Sequence, residues 1–157
     1  MIAVTGPKGV GKTTYAAGLA GANGIILSFS TPIKELATKI VPPEYIYKDK
    51  ETHVPGWPNH VTGRFILQSL GTEWGRKLMY GDIWVDMLRN NLSSLLGFDK
   101  IVIDDLRFAN EAKMVHHMGG EVWRLSREGV VSIDTHSSEE GLGDEHVDKD
   151  IELPNVP

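Results

Sequence analysis

The sequence has no cysteine among its 157 residues. Disulfide bonds, thiolate nucleophiles and cysteine-ligated zinc are therefore excluded, and the folded state must depend on packing. No apolar run approaches the ~20 residues needed to cross a bilayer, and residues 1–6 are too short and uncharged a start for a signal peptide. These absences predict a cytoplasmic protein without membrane contact, and 41% hydrophobic residues are enough for one globular domain over residues 1–157.

Basic residues are also too few for a surface that binds a nucleic acid polymer. Residues 1–127 carry 15 Lys and Arg against 12 Asp and Glu, whereas residues 128–157 carry 1 against 9. Binding along a duplex needs a basic stripe that neutralises many phosphates, and the sequence has none. The slightly positive body suits small anionic ligands. Residues 128–157, the acidic segment, are either a solvated flank or a mobile lid.

Short apolar runs alternate with helical patterns along the chain. The strands are predicted at residues 1–5, 25–29, 101–103 and 121–125. The helices are predicted at residues 13–22, 31–40, 62–78, 82–95 and 108–118. Pro42 ends the second helix, residues 44–61 are predicted to be a loop, and the glycines at 71 and 75 favour a bend in the third helix. Strand–helix alternation predicts an α/β fold with parallel strand pairing.

A glycine-rich loop carries the strongest functional signal. The letters GPKGVGKT at residues 6–13 fit G-x-x-x-x-G-K-[ST] and lie between the first predicted strand and helix. Glycines let several backbone N–H groups and a helix N-terminus face one phosphate. Lys12 would then reach the β- and γ-phosphates of a nucleotide, and the Thr13 hydroxyl would ligate Mg²⁺. The residues predicted to bind ATP here are Gly6, Lys8, Gly9, Val10, Gly11, Lys12, Thr13 and Thr14. The alternative is a turn with an exposed lysine.

Two aspartates supply a second anchor for a metal-bound triphosphate. Asp104 and Asp105 follow the strand at 101–103, and open α/β sheets bind ligands at the carboxyl ends of their strands. Adjacent residues of a strand point to opposite sides, so the sequence does not choose between them. One of the two is predicted to face the metal, and a solvated loop pair is the alternative.

Elimination narrows the class of phosphate-loop protein. The guanine-reading Asn-Lys-x-Asp and the switch Asp-x-x-Gly are both absent. A GTP switch is therefore disfavoured, and motors or helicases need more chain than this. A small-molecule kinase is the leading class.

Four further segments carry a family resemblance. They are FSTPIKE at 29–35, LQSLGTEWGR at 67–76 preceded by Arg64, DLRFANE at 105–111, and HSSE at 136–139. In this order they resemble the motifs of bacteriophage deoxynucleoside monophosphate kinases, over most of residues 1–140. The resemblance implies a three-layer P-loop kinase fold with a central parallel sheet flanked by helices. It also implies phosphorylation of deoxynucleoside 5′-monophosphates by ATP with Mg²⁺, in the cytoplasm of an infected bacterium if the chain is phage-encoded. Relatives often carry Asp where this chain has Thr13.

The resemblance also implies an acceptor-binding region at 42–80. If the acidic segment is a lid, the lid spans roughly 126–147, and Arg124 or Arg127 would swing over the transferring phosphoryl group as a lid arginine. Arg64 and Gln68 are four residues apart and Gly71 follows three later, so all three lie on one helix face. Arg64 would bind the acceptor α-phosphate through two N–H groups, Gln68 would contact the edge of the base, and Gly71 would let the acceptor approach the helix closely. A solvent-facing polar stripe is the alternative. The predicted acceptor-binding residues are Lys34, Arg64, Gln68, Gly71, Glu73, Trp74, Arg76, Arg107 and Glu139. The predicted catalytic residues are Lys12, Asp105, Arg107 and Arg127, and Arg124 is assigned to ATP.

Two other functions stay open. The chain would act as a kinase on another small phosphorylated metabolite, or it would bind nucleotide without turnover. The sequence does not give the oligomeric state, and a homodimer is left open.

Overall fold

Five parallel strands form the central sheet. In this computed structural model, which describes residues 1–92, 94–95, 97–130 and 142–155, the strand order is β2-β3-β1-β4-β5. The strands are β1 (Ile2–Thr5), β2 (Gly24–Leu27), β3 (Lys100–Ile103), β4 (Glu121–Ser126) and β5 (Lys149–Glu152). Every neighbouring pair is parallel, so the five carboxyl ends share one edge of the sheet. The predicted α/β fold with a parallel sheet flanked by helices is confirmed.

Helices lie between the strands along the chain. They are α1 (Lys12–Ala20), α2 (Thr31–Ala37), α3 (Pro43–Tyr47), α4 (Gly63–Gln68), a π-helix (Ser69–Met79), α5 (Ile83–Leu92), α6 (Ala109–His117) and a short 3₁₀ turn (Asp144–His146). Of these helices, α1 and α6 pack on the sheet. Within the residues that the structure describes, none of these helices has the length and apolarity to cross a bilayer.

The chain divides into two compact units. The sheet unit contains residues 1–28 and the described residues from Arg89 onward, and the helical unit contains residues 29–88. The predicted acceptor-binding region at 42–80 lies within the helical unit. A single functional domain over 1–157 stays a prediction.

Apolar side chains of α1 and the strands form the core of the sheet unit. Val4, Val102 and Leu125 are fully buried and pack with Val10 and Ala16. Parallel strands inside a sheet are covered on both faces, which explains why β1 and β3 are mostly apolar. The small residues of α1 let this helix lie close to β1, β2 and β3. Val10 therefore ties the glycine-rich loop directly to the core.

Two elements were missed in the sequence. Residues 44–61 were predicted to be a loop, but Pro43 opens α3, whose Ile46 is fully buried. Proline is favoured at the first position of a helix, so Pro43 begins α3. The prediction that Pro42 ends the second helix is wrong, because α2 already ends at Ala37. The acidic segment was predicted to be a flank or a lid, yet it contains β5. An edge strand has one neighbour and tolerates charge, and only Ile151 of β5 packs inward.

The predicted helix at 62–78 changes its hydrogen-bonding pattern at Ser69 and continues as the π-helix. Gly75 lies so close to the Trp84 indole that an added Cβ would be 2.5 Å from its Cζ2 atom. The Trp84 indole N–H donates to the Gly71 carbonyl at 2.7 Å. The expected deviation at the glycines is thus a π-helix rather than a simple bend. The following helix ends at Leu92 instead of 95, and Leu95 N–H donates to the Leu92 carbonyl in a turn.

Candidate active site

The glycine-rich loop has the backbone that a phosphate-binding loop needs. Gly6, Gly9 and Gly11 have φ of 138°, 84° and 104°, a region that L side chains rarely adopt. A side chain at Gly6 would also collide with the backbone carbonyl oxygen of Leu125 in β4. The loop conformation is therefore available only to a sequence with glycine at these positions. The turn is followed directly by α1, whose first N–H groups lie at the end of the loop.

Lys12 lies across this loop. Its ammonium donates hydrogen bonds to the carbonyl oxygens of Gly6, at 2.7 Å, and Pro7, at 2.9 Å. These two bonds hold the positive charge at the loop, where the sequence predicts a triphosphate tail. Lys8 and Gly9 are exposed at the tip. The predicted loop residues are thus brought together around one concave stretch of backbone.

The two aspartates have different partners. The Thr13 hydroxyl donates to Asp104 Oδ2 at 3.1 Å, whereas the Ser28 hydroxyl donates to Asp105 Oδ2 at 2.5 Å. Asp104 is therefore the carboxylate joined to the glycine-rich loop, and Asp105 is joined to the residue after β2. Ser28 was not identified from the sequence, because a serine at the end of a strand has no signature of its own.

The oxygen atoms of Thr13 and Asp104 fit a magnesium ion. Mg²⁺ prefers oxygen ligands, keeps several waters and is commonly bound through one or two side chains together with substrate phosphates. Among the described residues, no three His, Asp or Glu side chains form a complete metal cage. This pair therefore suits a metal that enters with a nucleotide rather than a permanently bound ion.

A cavity of about 350 Å³ lies beside the loop in the sheet unit. Its lining is mostly apolar and comprises Gly11, Thr14, Tyr15, Gly18, Leu19, Arg127, Leu153 and Pro154. The Arg127 guanidinium covers Gly11, and its Nη2 atom would be 3.3 Å from a Cβ added there. Arg127 Nε is buried without a hydrogen-bond partner in the part of the chain that the structure describes. Arg127 therefore contributes a charged side chain to an otherwise mostly apolar cavity wall.

Arg124 is held by the carboxyl-terminal segment. Its Nε atom donates to Asp150 Oδ1 at 2.6 Å, and its Nη1 atom donates to Asp144 Oδ1 at 2.5 Å. The bond to Asp150, followed by the bond to Asp144, raises the pKa of Arg124, and the same Arg124 bond lowers the pKa of Asp150. Both observed partners of the guanidinium are carboxylates. A contact of Arg124 with ATP stays a prediction.

Most predicted acceptor-binding residues lie on one stretch of the helical unit. Arg64 and Gln68 belong to α4 and are partly exposed. Arg64 Nε pairs with Glu51 Oε1 at 2.6 Å. The π-helix carries Glu73, Trp74 and Arg76, together with Gly71, and Lys34 lies apart in α2.

Local contacts already occupy part of this stretch. Gly71 is buried, and a Cβ there would be 3.1 Å from the Ile33 side chain, so its observed neighbours are protein groups. Glu73 pairs with Lys77 at 2.9 Å, and Arg76 Nη1 donates to the Gly81 carbonyl at 3.4 Å. Trp74 is 37% exposed. The roles of these side chains in binding an acceptor stay predictions.

Some predicted site residues fall outside the described part of the chain. They are Glu139 with its neighbour His136, and residues 131–141 of the predicted lid. Arg107 is described, and it lies in the sheet unit with its backbone N–H bonded to the buried carboxylate of Glu111. Glu111 was part of the motif at 105–111 but was given no role from the sequence.

Comparison with known proteins agrees with this geometry. A model of the deoxynucleotide monophosphate kinase family matches residues 43–155. A protein of Acanthamoeba polyphaga mimivirus, provisionally named a deoxynucleotide monophosphate kinase, is 33% identical over 160 residues, covering 88% of this chain and 80% of that protein. The deoxynucleotide monophosphate kinase of Escherichia phage RB69 is 33% identical over 81 residues, which are 50% of this chain and 33% of that protein. The glycine-rich loop, the paired aspartates and these matches lead to one conclusion: the chain belongs to the deoxynucleotide monophosphate kinase family of phosphotransferases.

Proposed function

We propose that this chain transfers the γ-phosphoryl group of ATP to a deoxynucleoside 5′-monophosphate and that residues 6–13 hold the triphosphate tail. The observation that carries this proposal is the loop itself, with three glycines at positive φ, the Lys12 ammonium and the start of α1. In the reaction, the bond from the γ-phosphorus to its bridging oxygen breaks and ADP leaves with the electron pair. A bond from the same phosphorus to an acceptor phosphate oxygen forms, which gives the deoxynucleoside diphosphate.

The cavity beside the loop is the proposed site for the adenosine part of ATP. Its volume of about 350 Å³ lies in the range of small-molecule pockets, and its lining is apolar as a nucleobase requires. Gly11 belongs both to the loop and to the cavity lining, so a ligand would run from one into the other without a gap. The Arg127 guanidinium would contact the base or the phosphates. The proposal adds a place in the wall of the donor pocket to the predicted catalytic role of Arg127.

Thr13 and Asp104 are the proposed magnesium anchors. Their 3.1 Å hydrogen bond supports Asp104 over Asp105 for this role. When bound, Mg²⁺ would neutralise part of the phosphate charge that develops during transfer. Asp105 would instead hold the end of β2 through Ser28.

Acceptor-binding residues are proposed from the sequence in each unit by itself: Arg107 in the sheet unit, and the residues named below in the helical unit. Arg64 is the proposed phosphate fork, since its pair with Glu51 is partly exposed and such pairs are weak enough for a bidentate phosphate to displace. Gln68, Glu73, Trp74, Arg76 and Lys34 are proposed to surround the nucleoside. Gly71 would shape this wall through its packing on Ile33. Glu139 and a lid at roughly 126–147 are proposed from the sequence alone, and location in the cytoplasm of an infected host is proposed from the family resemblance. A homodimer stays open.

Catalysis would depend on positioning and charge neutralisation. The attacking phosphate oxygen is already ionised at neutral pH, so the reaction needs no general base. Lys12 and Arg107, with the N–H groups of the loop, would stabilise the charge that spreads over the transferring group. Arg127 would exclude water from the donor side. These residues account for transfer to an acceptor phosphate in preference to hydrolysis.

An acceptor screen tests the proposal. Purified protein is incubated with ATP, Mg²⁺ and, in separate reactions, each common deoxynucleoside monophosphate, each ribonucleoside monophosphate and several sugar phosphates, and ADP release is followed. Turnover with a deoxynucleoside monophosphate, strongly reduced in Lys12→Ala, supports the proposal. Turnover with a sugar phosphate alone would assign the chain to a different kinase activity. ATP binding without turnover on any acceptor would show a silent nucleotide-binding module.

A further inference from the structure

We propose that Glu111 is a positioning residue, which fixes the backbone that carries Arg107. Glu111 is only 2% exposed, although it carries a carboxylate. Its Oε2 atom accepts hydrogen bonds from the backbone N–H of Arg107, at 2.7 Å, and of Phe108, at 3.0 Å. A buried carboxylate is costly unless it is hydrogen-bonded, so these contacts justify its presence in the interior. The inference rests on the proposed function, in which Arg107 binds the acceptor phosphate.

Helix capping explains only part of this arrangement. Glu111 is the third residue of α6, and a glutamate there commonly reaches back to the N–H of the residue before the helix, here Phe108. The bond to Arg107 is additional, lies one residue further back and is the shorter of the two. The negative charge also suits the first turn of a helix. The extra bond indicates that Glu111 constrains the chain ahead of α6 as well as the helix itself.

The remainder of the same segment is anchored on the sheet. The Asp104 N–H donates to the Leu27 carbonyl at 3.1 Å, and the Leu106 N–H donates to the Val4 carbonyl at 3.2 Å. The Leu106 side chain is fully buried. The sheet therefore fixes the backbone up to Leu106, and Glu111 fixes it beyond that point, where Arg107 begins.

The sheet contacts therefore hold the aspartates of the donor side, and Glu111 holds Arg107 of the acceptor side. The aspartates lie before Leu106 and keep their sheet contacts when Glu111 changes, so the donor side should be unaffected. Arg107 has a long side chain whose grip on a phosphate depends on where its Cα is held, and a displacement of about 1 Å at a positioned group is enough to slow catalysis greatly. Loss of Glu111 should therefore weaken acceptor binding and transfer, with ATP binding unchanged.

The test is a kinetic comparison of wild type with Glu111→Gln, which keeps the shape and removes the charge that strengthens both bonds. We expect the acceptor KM to rise about 10-fold and kcat to fall, while the KM for ATP changes less than about twofold. The matched control is Asp148→Asn, which removes another carboxylate that accepts a backbone N–H, that of Val122 at 2.7 Å. The control should lower the melting temperature and leave both KM values as in wild type.

A double-mutant cycle with Arg107→Ala separates positioning from general destabilisation. If Glu111 acts through Arg107, the acceptor KM of the double variant matches that of Arg107→Ala alone. Fully additive effects, or an unchanged acceptor KM in Glu111→Gln, would overturn the inference while wild-type turnover keeps the proposed function. Absence of wild-type turnover on every deoxynucleoside monophosphate would reject both. If Glu111→Gln does not fold, the variant to use is Glu111→Asp, which keeps the charge on a shorter side chain. It is expected to raise the acceptor KM and not the KM for ATP. An unchanged acceptor KM in Glu111→Asp contradicts the inference.

Discussion

At the scale of single residues, Lys12 combines two tasks. Its ammonium bonds to two carbonyl oxygens of its own loop, so the charge is held near the proposed phosphate position before any ligand binds. Such preorganisation makes an electrostatic contact effective, because little rearrangement is left for the reaction step. Lys12→Ala should therefore lower kcat on the order of 10²–10³-fold. Circular dichroism would show a retained fold, and turnover equal to wild type would contradict the assignment.

Arg127 allows a test that separates donor from acceptor. Its guanidinium covers Gly11 and lines the cavity, where its Nε lacks a partner within the described chain. Arg127→Met keeps much of the apolar stem and removes the charge and the donors. We expect a raised KM for ATP and an unchanged KM for the acceptor, measured by steady-state kinetics. A rise confined to the acceptor KM would place Arg127 elsewhere in the mechanism.

Arg64→Ala is the complementary change on the acceptor side. It removes the proposed phosphate fork and frees Glu51 from an exposed ion pair, which contributes little to stability. The acceptor KM should rise far more than the KM for ATP. Equal effects on both constants would argue against the placement of Arg64.

The sequence identified candidate functional residues, but it did not identify the hydrogen-bond partners of those residues. The loop pattern predicted a glycine-rich turn between the first strand and the first helix, and the structure has it there, between β1 and α1. The roles of Lys12 and Thr13 stay predictions. The sequence did not distinguish Asp104 from Asp105, because the distinction comes from Thr13 and Ser28, which are distant in sequence. Glu111 had no signal beyond its helical position, since its function depends on a bond to the backbone of Arg107.

At the scale of elements, the π-helix depends on one close contact. The Trp84 indole occupies the space where a Cβ of residue 75 would lie, at 2.5 Å from that position. Gly75→Ala should lower the free energy of unfolding by about 1–3 kcal/mol, the usual cost of overpacking. Urea denaturation measures this change. Gly81→Ala, at a site with no atom within 4 Å of the added Cβ, is the control and should change stability by less than about 0.5 kcal/mol.

The connection before β5 gives a pH-dependent prediction. Asp148 accepts the Val122 N–H and contacts His116 at 2.8 Å, and these bonds, the first above all, lower the pKa of Asp148. A carboxylate with a lowered pKa stabilises the fold above its unfolded pKa of about 4, and this contribution is lost as the pH falls through the folded value. The stability difference between wild type and Asp148→Asn should thus be largest above about pH 4 and shrink in more acidic solution. Urea unfolding across this range checks it, and a difference independent of pH would contradict it.

Elements were predictable where a periodic apolar pattern was long enough to be seen. β1, β3, β4 and α6 were found because buried parallel strands and amphipathic helices have such patterns. α3 has only five residues, and β5 has one inward apolar side chain, so neither gives a period. Gly71 and Gly75 signalled a deviation from a regular helix, but both glycines contact Trp84, which belongs to the next helix and is distant in the pattern.

At the scale of the whole molecule, the strand-end edge of the sheet unit gathers the proposed donor residues. The glycine-rich loop follows β1, Ser28 follows β2, Asp104 follows β3, Arg127 follows β4 and Leu153 follows β5. This gathering is a consequence of parallel pairing, because all carboxyl ends then lie at one edge. The contribution of β5 was not foreseen, because it required that an acidic segment pair with β4.

The central claim is that the glycine-rich loop delivers a phosphoryl group to another nucleotide rather than to water. Phosphorus NMR of one reaction, containing the protein, ATP, Mg²⁺ and the preferred deoxynucleoside monophosphate, tests it most directly. The account predicts equal amounts of ADP and deoxynucleoside diphosphate, without inorganic phosphate, and formation of both products on the order of 10²–10³-fold slower with Lys12→Ala. ADP accompanied by inorganic phosphate in place of the diphosphate would contradict it.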